Sequence, residues 1–388
     1  MTRRRRAVLR AKPRASRRVA APRVAVLGAG SWGTTFAKIL ADGGSEVVIW
    51  ARRPEVAHEI TEARRNSQYL PGINLPPTVR ATTLLAEALA SAEQVFVSIP
   101  SQSLRENLSA IEPLLPQSAP IVSLMKGVEK GSGLRMSEVM AQELPIDPAR
   151  IAVISGPNLA LEIAREQPTA AVVSSASLDT AQAVALLATN RYFRSFVNTD
   201  VIGTEFGGVL KNLIAVAIGI VDGVGYGENT KASIITRGLV EMTDFAVAHG
   251  AHADTLAGLA GLGDLIATCQ SPLSRNNTAG RLLGQGYAFA EVVKQMNQTA
   301  EGLASVAPIL ELARARGVAM PIVEQVSRVL AGTLDPKDIA PHLTTDSDGP
   351  QGERTTDGGQ DRARTSLRGS LQRAFNQLRH GGRSAGGH

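Results

Sequence analysis

From residue 24 onward the hydrophobic positions fall into short unbroken runs separated by turn-forming residues. Val24-Ala25-Val26-Leu27 is apolar at every position and is stopped by glycine, the pattern of a strand buried on both faces of a parallel sheet. Residues 31–41 carry a helical pattern that ends near Asp42-Gly43-Gly44, and Glu46-Val47-Val48-Ile49-Trp50 follows as a second strand, which completes one β-α-β unit. Further runs at Gln94-Val95-Phe96-Val97-Ser98-Ile99-Pro100, Ile121-Val122-Ser123-Leu124, Ile151-Ala152-Val153-Ile154 and Ala170-Ala171-Val172-Val173, with helical stretches in most of the intervals, predict a doubly wound parallel sheet. Beyond about residue 200 the apolar segments lengthen and take a helical period, and helices are predicted near 206–222, 230–249, 290–299 and 304–316.

The expected fold is therefore α/β, with an N-terminal Rossmann-type doubly wound sheet at 23–203 and a mostly helical C-terminal domain at 204–335. From Asp335 the chain turns polar and glycine-rich, as in Thr344-Thr345-Asp346-Ser347-Asp348-Gly349-Pro350. Such composition cannot bury enough apolar area to offset the entropy of ordering, so 336–388 is expected to be a disordered tail. Within it Leu367, Leu371, Phe375 and Leu378 recur at near-helical spacing, a stripe too short to predict a stable helix.

Composition refines this picture. A length of 388 residues exceeds what one core usually organises and fits two domains plus ends, while 44% apolar and 20% charged residues are those of a globular chain. The longest apolar run, 213–221, is too short to cross a bilayer, so no membrane span is predicted. A single cysteine, Cys269, allows no internal disulfide and suggests no metal site, which fits a reducing, cytoplasmic setting. The net charge of +6 is unevenly spread. Residues 1–23 hold ten arginines and lysines and no acid, so the rest of the chain carries 31 basic against 35 acidic residues. A polycationic face for nucleic acid is thus not expected on the folded part. The basic head, 1–22, has the composition of an organellar presequence but lacks the apolar stretch of a secretory signal, and a disordered arm is the simpler expectation.

Gly28-Ala29-Gly30-Ser31-Trp32-Gly33 fits G-x-G-x-x-G in its proper context, after a strand and at the start of a helix. Gly28 permits a tight turn, Gly30 lets the backbone approach a pyrophosphate, and Gly33 lets helix and strand pack closely. At the end of the second strand, where an acidic residue would hold the ribose hydroxyls of NAD, stands Trp50-Ala51-Arg52-Arg53. Arg52 there favours the additional phosphate of NADP, so the cofactor expected is NADP or NAD.

Hydride transfer to a carbonyl needs a proton donor and polar groups that orient the carbon skeleton, and a phosphorylated substrate would add a need for cationic groups. Lys211, in Leu210-Lys211-Asn212-Leu213-Ile214, is set among apolar residues where desolvation eases loss of its proton, although a snorkelling surface lysine has the same pattern. Asp264, in Gly261-Leu262-Gly263-Asp264-Leu265-Ile266-Ala267-Thr268-Cys269, can pair with Lys211 or hold a substrate hydroxyl, or simply cap a turn. Ser274-Arg275-Asn276-Asn277 concentrates donors suited to a phosphate dianion. Glu301 reads either as a cap or as a nicotinamide-side contact.

Taken in order, Gly28-Ala29-Gly30-Ser31-Trp32-Gly33-Thr34, Tyr69-Leu70-Pro71-Gly72, Ser123-Leu124-Met125-Lys126-Gly127, Ser155-Gly156-Pro157-Asn158-Leu159-Ala160, Leu210-Lys211-Asn212, Gly261-Leu262-Gly263-Asp264-Leu265 and Ser274-Arg275-Asn276 resemble the motif series of the bacterial-type NAD(P)-dependent sn-glycerol-3-phosphate dehydrogenases. The resemblance covers about residues 23–330. It implies interconversion of dihydroxyacetone phosphate and sn-glycerol 3-phosphate for glycerophospholipid synthesis, in a cleft between the two domains. It further implies Lys211 as the catalytic lysine and Lys126 as a lysine near both nicotinamide and substrate. Ser31, Trp32, Ala160, Arg275 and Glu301 fall on cofactor contacts. Gly156, Asn158, Asn212, Asp264, Ser274, Arg275 and Asn276 fall on the substrate side. Asn158 stands where the family commonly has serine or threonine, and no resemblance extends beyond Asp335. Homodimerisation through the helical domain is an expectation, with no nucleic-acid partner. The rival enzyme reading, a two-domain dehydrogenase of a hydroxy acid or sugar acid, should lack Ser274-Arg275-Asn276. A cofactor-sensing protein without chemistry should not retain Lys126, Lys211 and Asp264 together.

Overall fold

The computed structural model describes residues 20–296 and 301–340; the basic head through residue 19, the stretch 297–300 and the stripe from Leu367 to Leu378 lie outside the described residues. β1 (Arg23–Leu27) passes through α1 (Ser31–Asp42) to β2 (Glu46–Trp50), and α2 (Pro54–His58) leads on to β3 (Val79–Thr82). The chain returns through α3 (Leu85–Leu89) to β4 (Gln94–Val97), then through α4 (Leu104–Ile111) to β5 (Ile121–Ser123) and α5 (Met136–Glu143) to β6 (Ile151–Ser155). α6 (Ala160–Ala164) precedes β7 (Thr169–Ser175), and α7 (Leu178–Ala188) precedes β8 (Phe193–Asn198). The strands line up in the order β3-β2-β1-β4-β5-β6-β7-β8. Alternate residues of β1 serve the two faces: Val24 and Val26 join Phe36, Ile49, Phe96 and Phe193 on one side, and Ala25 and Leu27 join Val95, Val97, Leu104 and Val139 on the other.

Two features depart from the pattern-based expectation. β7 pairs antiparallel to β6 and parallel to β8, so the last two strands run against the rest of an otherwise parallel sheet. A strand buried on both faces is apolar whichever way it runs, so its composition carries no direction. β3 and β8 were not among the predicted strands. Each lies at an edge of the sheet, where one side has no neighbour, and neither carries a continuous apolar run.

The helical domain is built around α8 (Val201–Val224), with α9 (Glu228–Ala248), α10 (Ala253–Leu256), α11 (Asp264–Gln270), α12 (Arg275–Gly284), α13 (Phe289–Gln295), α14 (Glu301–Arg316) and α15 (Pro321–Leu330) about it. α8 is long and apolar enough to cross a membrane by length and composition, but 83% of its most apolar stretch is buried inside the protein, and it serves as the core helix. The sequence pattern missed α12 for a physical reason: it meets α8 backbone to backbone. A side chain at Gly219 would stand 2.2 Å from the Asn277 carbonyl, and one at Gly280 2.1 Å from that of Val216. A helix whose packing face is glycine shows no hydrophobic period. α15, with Ile322, Val323, Val326 and Val329 at helical spacing, is readable in the sequence and is absent from the elements predicted above.

Candidate active site

The glycine motif occupies the turn between β1 and α1. Gly28 has φ +117°, and a side chain there would stand 2.2 Å from the carbonyl of Ser98, just past β4. At Gly33 a side chain would stand 2.1 Å from the carbonyl of Gly28, whereas at Gly30 nothing lies within 4 Å. Two glycines are therefore required by the fold of the turn itself, and the third opens space above it. No side chain caps the N-terminus of α1, so its first N–H donors are left for a ligand. Trp32 Nε1 is buried without a hydrogen-bond partner. Beneath the turn, Asn66 donates to Ala29 O at 2.9 Å and Thr34 Oγ1 at 2.8 Å; sequence reasoning missed this strut, which comes from a loop with no pattern of its own. These features fit a dinucleotide pyrophosphate. Arg52, at the end of β2, is exposed, while its neighbour Arg53 is engaged by Gln68, Glu55 and the ring of Tyr69.

The second half of the site is a cluster of buried charges drawn from three parts of the chain. Lys126, just beyond β5, donates to Asp264 Oδ2 at 2.5 Å and to the Gly156 carbonyl at 3.0 Å. Lys211, from the middle of α8, lies 3.2 Å from Asp264 Oδ1 and donates to Thr268 Oγ1 at 2.7 Å. Thr268 in turn donates to Asp264 Oδ1 at 3.2 Å. Asp264 thus pairs with Lys211, one of the partners the sequence offered, and with Lys126 as well. A π-turn over Leu259–Gly263 delivers Asp264 to the first turn of α11, where the helix dipole favours its negative charge. Thr268, one helical turn on, follows from the i, i+4 spacing, but its role is not evident before Lys211 is placed.

The side chains of Lys211, Lys126 and Asp264 are 9%, 14% and 2% exposed. Burial pushes Lys211 down to about 8; Asp264 opposes the fall and Lys126 adds to it. Nearby, burial pushes the Cys269 thiol up to about 12, which leaves it an inert packing residue.

The remaining candidates divide between those facing the cluster and those tied up behind it. Asn212 Oδ1 accepts from Asn276 Nδ2 at 2.8 Å, and Asn276 Oδ1 accepts from Gly302 N at 3.1 Å, so this pair of amides braces α8, α12 and α14. Ser274 is buried, and its hydroxyl caps α12 by accepting from Asn277 N at 3.2 Å, while Arg275 beside it is exposed. Both amide atoms of Asn158 are buried and without a partner, as is Ser155 Oγ. The stretch from Ser155 to Ala160 links the two halves: the Gly156 carbonyl accepts from Lys126, and the Ala160 carbonyl accepts from Thr35 Oγ1 on α1 at 3.3 Å. Glu301 opens α14, and its side chain lies outside the described residues.

The N- and C-terminal family models of NAD-dependent glycerol-3-phosphate dehydrogenase match residues 23–181 and 200–341. A relative from Leifsonia xyli subsp. xyli, named glycerol-3-phosphate dehydrogenase (NAD(P)+), is 77% identical over 365 residues, covering 93% of this chain and 99% of its own length. One of the same name from Thermobifida fusca is 53% identical over 315 residues, 81% of this chain and 94% of its own. The crystal structure of a glycerol-3-phosphate dehydrogenase from Coxiella burnetii superposes with a TM-score of 0.79 at 36% identity, over 83% of this chain and 98% of that one. A match over 93% of 388 residues must extend past residue 341, so part of the tail, where the sequence shows no family motif, is common to this chain and the Leifsonia protein.

Proposed function

The chain belongs to the NAD-dependent glycerol-3-phosphate dehydrogenase family, whose relatives are NAD(P)-dependent oxidoreductases, and from that membership we propose how its own residues interconvert dihydroxyacetone phosphate and sn-glycerol 3-phosphate. The observation that carries the reading is one buried carboxylate, Asp264, held between the ammonium groups of Lys126 and Lys211. Gly28, Gly30, Ser31, Trp32 and Gly33 would hold the cofactor's pyrophosphate at the head of α1, with Arg52 beside the ribose. When bound, the nicotinamide supplies or accepts the hydride.

Lys211 moves the proton. In reduction its charged Nζ gives a proton to the oxygen formed from the substrate carbonyl, and in oxidation its neutral form removes the hydroxyl proton. A group pushed down to about 8 can take both forms near neutral pH, as a surface lysine cannot. Asp264 keeps Lys211 from shedding its proton too readily and, with Thr268, fixes the direction of Nζ. Lys126 adds a second positive charge facing the same oxygen, in a site where burial strengthens its effect. The unpartnered amide of Asn158 is available to a substrate hydroxyl, donating and accepting at once. Exposed Arg275 is suited to the phosphate, while Asn276, Asn212 and Ser274 set the helices from which it reaches.

The test is oxidation of NADPH and NADH dependent on dihydroxyacetone phosphate, by the wild type and by Lys211→Ala. The variant is expected to lose about 10³-fold in kcat while cofactor binding, read by fluorescence, survives. Turnover retained in the variant would remove Lys211 from this role. A wild type that binds NADPH without turnover would remove the substrate assignment.

A further inference from the structure

Lys126 follows β5 and so belongs by sequence to the sheet domain, yet the segment it opens is seated on the helical domain. Residues 126–137 fold back on themselves: Glu129 N donates to Leu134 O at 2.9 Å, and Val128 pairs with Arg135 in an isolated bridge. Val128 is fully buried within the helical core, and a side chain at Gly133 would stand 2.9 Å from Leu312 of α14. The far leg is tied to α8 by Glu205. Its Oε2 accepts from Arg135 Nη1 at 2.6 Å and from Ser137 Oγ at 2.5 Å, and its Oε1 accepts from Ser137 N at 2.9 Å. The near leg meets the same helix three residues on, at Gly208, where a side chain would stand 3.3 Å from Lys126 Cγ. Glu205 and Gly208 share one helix face, so the seat of the far leg fixes that of the near leg. On the sheet side the segment is held by Gln102, which donates to Val128 O at 2.8 Å, and by Arg105 paired with Glu129 at 2.8 Å.

The side chains of Glu205 and Arg135 are 5% and 11% exposed. A buried ion pair of this kind contributes little net stability over a well-packed apolar pair, but it specifies one seating, because any slip leaves charges unpaired out of water. We infer that Glu205 is a positioning residue: by gripping Arg135 and Ser137 it sets where Lys126 stands against Asp264 and Lys211. The inference rests on the proposed proton-transfer role of Lys211. The titratable groups that face Lys211 are Asp264 and Cys269 of α11 and Lys126 of this segment. Those around the grip are Arg135, Glu138, which is paired with it, and His249 just past α9, with Arg316 at the end of α14 beside that imidazole. Lys126 presses the Lys211 pKa down and Asp264 raises it. When the grip is lost and Lys126 drifts from Asp264, that pressure goes, and Lys211 holds its proton to higher pH.

The experiment is the pH dependence of dihydroxyacetone phosphate reduction by the full chain carrying Glu205→Gln. The expected result is a fall in kcat of about tenfold or more, with KM for NADPH within about twofold of wild type. The alkaline limb should move to higher pH. A wild-type pH profile, or a lower melting temperature with kcat and profile intact, overturns the inference. Ser137→Ala removes one donor and leaves the ion pair, and should show the same signs in smaller measure. It decides the matter if Glu205→Gln does not fold, and a wild-type profile there is equally fatal. Lys211→Ala separates the two readings. If that variant keeps its turnover, the proton-transfer role falls. If it is inactive while Glu205→Gln behaves as wild type, only the positioning role falls.

Discussion

At the head of α1 the polar groups left without a side-chain cap are backbone N–H donors beside glycines, whereas around α8 two ammonium groups are drawn out of water about one carboxylate. The first half is built within six consecutive residues and depends on the absence of side chains. The second joins residues up to 138 positions apart and depends on their presence. Rigid backbone donors bind an anion without changing protonation state, and so suit a cofactor that must be held in place. A buried lysine whose pKa is set by a neighbouring carboxylate and ammonium suits a group that must give up and regain a proton.

The largest effect that would test this contrast is expected from Asp264→Asn. Asp264 raises the Lys211 pKa against burial, so its neutralisation lowers that pKa below about 8. Reduction needs the protonated amine, so the alkaline decline, expected in the wild type through about pH 8, should move to lower pH in the variant. kcat should fall by about 10²–10³, an effect of the size found on removing one preorganised charge-stabilising group. Rate profiles across pH 6–10, with buffers chosen on the order of one per pH unit, would show it. An unmoved limb would mean that Asp264 does not govern the proton on Lys211.

The next effect sharpens the contrast within the cradle. Gly33→Ala places a methyl group 2.1 Å from the Gly28 carbonyl and should cost about 1–3 kcal/mol of stability, visible as a lower Tm without any ligand. Gly30→Ala meets nothing within 4 Å and should leave the ligand-free Tm unchanged while weakening cofactor binding about tenfold. Equal behaviour of the two variants would break the distinction between a glycine the turn requires and one the ligand requires. The smallest effect is expected at Arg52. Arg52→Ala should lower the preference for NADPH over NADH by about tenfold and leave NADH kinetics near wild type. A preference that does not move would point to the neighbouring Arg53, at present held by Tyr69 and Gln68.

How much was legible in the sequence follows the same division. The strands β1, β2, β4, β5, β6 and β7 could be read because each holds a short continuous apolar run that the sheet buries. The edge strands β3 and β8 could not, since each has a neighbour on one side only and its sequence carries no continuous apolar run. α12 was hidden because its contact with α8 is glycine on glycine. Lys211 and Asp264 could be named from motif order, but their residues alone left a surface lysine and a capped turn equally open. Asn66, Thr268 and the grip of Glu205 on Arg135 and Ser137 carry no local signature, because each is defined by a partner distant in sequence or by a lysine not yet placed.

The sequence by itself determined what neighbouring residues settle among themselves: the apolar runs that become buried strands and the glycine turn at the head of α1. Those depend on sterics and hydrophobic period over a few positions. The boundary expected at Asp335 is instead moved by packing, since residues 336–338 form a turn and Ile339 and Ala340 are buried. Only the tertiary structure decided the direction of β7 and β8, the burial of Lys211, the seating of segment 126–137 and the single carboxylate shared by two lysines. Burial and charge proximity are properties of the packed chain, and a side chain's protonation is set by whatever the fold brings within a few ångströms of it.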